Sequence, residues 1–91
     1  MSRAAAIEGI EDYFDSGAYV HELSARVAIP SESQKDGSQA DLQRYLDEAI
    51  QPAFEAMDFT CEVFENPVAG KGPILLASRN EDDNLPTVLG Y

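Results

Sequence analysis

The stretch from Ala40 to Met57 constrains this chain most. Its apolar residues are Leu42, Tyr45, Leu46, Ala49, Ile50, Ala53, Phe54 and Met57. They recur at steps of three and four, which places them in one stripe along a helix. Ser38 and Asp41 stand where a capping box would open that helix. The Ser38 hydroxyl would accept from the Asp41 amide, and the Asp41 carboxylate from the Ser38 amide. Pro52 lies inside the pattern. It has no N–H for the Glu48 carbonyl, so a bend is expected there. The stripe stays in phase across Pro52, which predicts one kinked helix rather than two. An apolar face this broad needs a sheet or another helix to cover.

The flanking segments offer both. Ala4 to Phe14 reads as a first helix, with Ile7, Ile10 and Phe14 on one face. Asp15, Ser16 and Gly17 break it. Ala18 to Ala28 reads as a second, with Val20, Leu23 and Val27 as its stripe. Pro30 ends it, because the residue before a proline is pushed out of the helical region. Ser31 to Gly37 is a polar loop. After Met57 the period changes to two. Phe59 to Asn66 reads as a half-buried strand, with Phe59, Cys61 and Val63 on one side and Glu62 and Phe64 on the other. Pro67 to Gly72 is a turn. Ile74 to Ser78 is an apolar run, which predicts a strand covered on both faces. Arg79 to Pro86 is an acidic loop, and Thr87 to Tyr91 starts a third apolar strand. A strand left without a closing turn or polar tail implies the front part of a longer α/β domain.

At 91 residues the chain is one small domain at most. A chain of this size buries about 65% of its unfolded surface and is marginal alone. Its 44% hydrophobic content suits a folded segment. Seventeen acids against six Lys and Arg give a net charge of −11. That balance argues against nucleic acid and against an anionic membrane surface, both of which need a basic face. The acids are dispersed and read as solvated surface. With a single cysteine, Cys61, no internal disulfide and no thiolate metal cage can form. No apolar run approaches the roughly 20 residues of a membrane span. Met1 to Ala6 lacks the basic-then-apolar layout of a signal peptide. A cytoplasmic location is the expectation.

Few residues invite a chemical reading, and each has a plainer one. His21 is the only histidine, and its helical neighbours Gly17, Ala18, Ser24 and Ala25 are not ligands, so it reads as an exposed or partly packed imidazole. Glu81, Asp82 and Asp83 lack the alternation, glycine and distant glutamate of a calcium loop, so Asn80 to Asn84 reads as solvated. Gly70-Lys71-Gly72 is not a phosphate loop, since Glu65 stands where the upstream glycine belongs and no Ser or Thr follows Lys71. Ser31 and Ser33 have no positioned base. Ser31 reads as bonding its own turn after Pro30. Cys61, on an apolar strand face, reads as an inert core thiol.

Three places taken together resemble one family. The first is Leu23 to Ser33, a helix end leading into Ile29-Pro30-Ser31. The second is Tyr45-Leu46, then Ile50-Gln51-Pro52 and Phe54, running into Asp58-Phe59 and a strand. The third is Gly72-Pro73-Ile74-Leu75-Leu76-Ala77-Ser78-Arg79, followed by Pro86-Thr87-Val88-Leu89-Gly90-Tyr91. In order and spacing, from about Tyr13 onward, these are similar to the start of an M-twenty family metallopeptidase. That family includes aminoacylases, acetylornithine deacetylase, succinyl-diaminopimelate desuccinylase, glutamate carboxypeptidases and carnosinases.

The resemblance implies a partial zinc-exopeptidase-like α/β catalytic domain. Two to three N-terminal helices would pack on a β-hairpin, with the start of a third strand beside it. Residues 1–91 would be one N-terminal part of that domain. It implies hydrolysis of dipeptides or N-acyl amino acids by two zinc ions that share a carboxylate and a water, with a glutamate as base. The family's first zinc ligand, in a His-any-Asp motif, follows a strand resembling Thr87 to Tyr91. No catalytic, metal-binding or substrate-binding residue is therefore carried onto this chain, and no cofactor is expected within it. Its partner would be the remainder of the catalytic domain, with self-association through exposed strand edges or the uncovered helix stripe. An alternative from another class is a complete, non-catalytic acidic domain that binds a partner protein through its sheet edge.

Overall fold

A computed structural model describes residues 2–91. Helix α1, Arg3–Asp15, starts at Ser2, whose hydroxyl accepts from the Ala5 amide at 3.1 Å. Gly17 turns the chain in a left-handed conformation at φ 84°, which costs glycine little. Helix α2, Ala18–Val27, follows at once. The two helices pair through aromatic contacts near the turn. Tyr19 lies 6.1 Å from Tyr13 and 5.8 Å from Phe14, ring centre to ring centre.

The central helix runs from Gln39 to Glu55, but not as a kinked α-helix. It comprises α3, Gln39–Arg44, a π-helical segment, Tyr45–Ile50, and α4, Gln51–Glu55. The expected bend at Pro52 thus appears upstream, as a wider turn. The Gln51 amide donates to Leu46, five residues back. A strict α-register would press the Pro52 ring against the Glu48 carbonyl. The π turn inserts one extra residue before that conflict arises, and Pro52 then sits at the first positions of α4, where no amide is needed.

The capping box does not form either. Ser38 has φ −88° and ψ 0°, not the extended conformation that aims an N-cap hydroxyl at the first turn. Its hydroxyl instead donates to the Lys35 carbonyl at 2.8 Å, and Ser38 is buried. At the other end, the Phe59 amide donates to Phe54 and the Asp58 amide to Glu55, at 3.1 and 3.0 Å. With Asp58 left-handed at φ 65° and the Phe54 and Phe59 rings 5.2 Å apart, this is a Schellman closure with its hydrophobic contact.

Strand β1, Thr60–Phe64, pairs antiparallel with β2, Ile74–Ser78; Cys61 faces Ala77 and Val63 faces Leu75. The molecule is thus a mixed α/β fold of helices and a small two-stranded sheet. Helix α4 packs on both strands, α2 meets the π segment, and α1 packs on α2. The expected packing of the first helices on the hairpin is therefore largely replaced by packing of the central helix. Leu42, Tyr45, Leu46, Ala49, Ile50, Ala53 and Phe54 are all half-buried, so the apolar stripe is the covered face, with Met57 exposed beyond it.

Two strand expectations are corrected. β2 is not covered on both faces: Leu75 and Ala77 are half-buried, whereas Ile74 and Leu76 are exposed. Only one helix layer lies against the sheet. Thr87 to Tyr91 forms no strand. It finds no strand to complete a ladder with, and its backbone stays irregular.

Candidate functional site

Two shallow grooves mark the surface, one against the central helix and one beside the sheet. One, of about 430 Å³, opens between α2 and the π segment around Glu22, Arg26, Arg44 and Glu48. The helices supply its charges as same-helix pairs. Arg26 lies 3.6 Å from Glu22, and Arg44 lies 2.9 Å from Glu48, each one helical turn apart. Glu22 also accepts from the Tyr13 hydroxyl across the helical hairpin. That bond is the main reason the Tyr13 phenol is raised above its ordinary range; burial and the Glu22 charge add to it, and Arg26 opposes it. These pairs satisfy one another on an open surface and leave no charge aimed at a ligand.

The second groove, of about 480 Å³, lies between Leu76 on β2 and the 79–89 segment, with Leu85 and Val88 on its far wall. Its polar end is self-contained. Asn80 donates to Asp83 at 2.6 Å, the Asn84 amide donates to Asp82 at 2.8 Å, and Arg79 pairs with Glu81 at 2.6 Å. Arg79 also donates to the Met57 carbonyl at 3.1 Å, tying the end of β2 to the turn before β1.

The residues weighed in the sequence fall apart in space. His21 is exposed on α2. The Ser31 amide donates to Ile29 at 2.7 Å, which holds the turn after α2, and Ser33 lies exposed in the following loop. Cys61 is half-buried on the sheet face beneath α4, and burial, with the nearby Glu55 charge, pushes its thiol up. A raised thiol holds little thiolate and makes a poor nucleophile. The Gly70-Lys71-Gly72 turn is structural. Gly70 is left-handed and its carbonyl accepts from Gln39, while the Gly72 carbonyl accepts from Asn66 at 3.0 Å. Among the described residues, no three His, Cys, Asp or Glu side chains gather as a metal-holding group. Also among them, no helix is long and apolar enough to cross a membrane.

The Tyr13–Glu22–Arg26 chain was not legible in the sequence. Its first bond joins residues nine apart across a turn, and no helical spacing signals it.

The most prominent surface feature is apolar. Among the described residues, Ile29 alone of the large hydrophobics is buried, at 7% exposure. Ile10, Phe14, Val20 and Val27 on the helical hairpin, Ile74 and Leu76 on the sheet, and Val88 and Leu89 beyond it are exposed. Soluble monomers rarely leave so much apolar surface open unless it is an interface. No family model matches the chain, and no curated protein or solved structure matches it either.

Proposed function

We propose that this chain is the N-terminal scaffold of a zinc-dependent amidohydrolase or exopeptidase of the M-twenty family, and that the rest of the catalytic domain covers its apolar faces. The observation that carries the reading is the open apolar surface of the helical hairpin, the sheet and the 88–89 segment. The accessible surface is 7631 Å², against about 5,200 Å² for a folded monomer of this mass. The radius of gyration is 16.0 Å, against about 12 Å for a compact domain of this length. Such a surface fits a segment whose core is completed by further protein.

The described residues do not fit a zinc site. The lone His21 is exposed and has no carboxylate or imidazole partner at helical spacing. In this reading the metal ligands and the base come from other parts of the enzyme, and these residues hold their supports in place. The substrates would be dipeptides or N-acyl amino acids, and the setting cytoplasmic. The test is the coding sequence after the Tyr91 codon. Codons for Gly and then His-any-Asp support the proposal; a stop codon there overturns it.

A second reading rests on the sheet. β1 and β2 pair only with each other among the described residues, so each has an open outer edge. A partner protein could add a strand to either. A stop codon after Tyr91, with a partner peptide that protects β1 or β2 amides from exchange, would favour this reading over the first.

A further inference from the structure

We draw no further inference here: the strongest candidate, the exposed apolar face of the α1–α2 hairpin around Ile10, Phe14, Val20 and Val27, carries nothing because nothing in the structure shows what covers it.

Discussion

Asp58 closes the central helix in a conformation that L-residues adopt at a cost. Its φ of 65° is the left-handed position where glycine usually stands. Asp58→Gly is therefore expected to stabilise the fold by about 0.5–1 kcal/mol, and Asp58→Val to destabilise it by more than that. Urea unfolding followed by circular dichroism checks both; no gain for the glycine variant would remove the strain argument. Gly72 shows the opposite constraint. A Cβ there would lie 2.7 Å from Leu42 Cδ1, so Gly72→Ala must push aside a side chain in the covered stripe. Cys61 offers a test by pH. Its thiol is raised in the folded state, so folding favours the protonated form. That contribution is complete below the unfolded thiol's range and is lost as pH rises through the folded value. Alkylation by iodoacetamide near pH 8 should be slower in the native chain than in urea, and equal rates would contradict the placement.

At the scale of elements, the central helix combines local helical signals with a local conflict. Its exposed pairs, Gln43 to Asp47 and Arg44 to Glu48, both at 2.9 Å, add only tenths of a kcal/mol each. The half-buried stripe supplies more. Pro52 then decides the register. Pro52→Ala should let the π turn relax to α, with the Gln51 amide moving from Leu46 to Asp47. The expected gain is about 1 kcal/mol, less than the ~3 kcal/mol of a proline forced into an α register, because the π turn already absorbs part of that cost. Backbone amide and carbonyl shifts over Tyr45–Ile50 report the change, and a persisting π turn would show that packing, not proline, sets it. Where α2 meets the π segment, Ile29 is the one buried large hydrophobe among the described residues. Ile29→Ala should cost about 2 kcal/mol, the low end for such a truncation, because grooves open on both sides of the site let it collapse.

The whole molecule is a slab of 45 × 36 × 18 Å with apolar residues on several outer faces. Its charge of −11 opposes association, while those faces favour it. The isolated 91-residue chain is therefore expected to self-associate at micromolar concentration, more strongly as salt screens the repulsion. Sedimentation velocity at low and high sodium chloride checks this, and a monomer at both would count against it. Zinc titration by calorimetry should show no stoichiometric binding to this chain. A sub-micromolar site would contradict the scaffold reading, because it would put the metal chemistry within these residues.

Several elements were legible without coordinates because their signals are local. The step of three and four from Leu42 to Phe54 marks the face that ends up covered, and the period of two beginning at Phe59 marks β1, with Phe59 and Cys61 half-buried. Gly17 and Pro30 bound α2 through their own backbone limits. The rest depended on partners far along the chain. The Ser38 hydroxyl left its helix for Lys35 because the loop conformation turned it away. β2 and Thr87 to Tyr91 read as buried strands on composition alone. Apolar character says that a residue gains by burial, but only the assembled structure decides whether a neighbour is there to bury it.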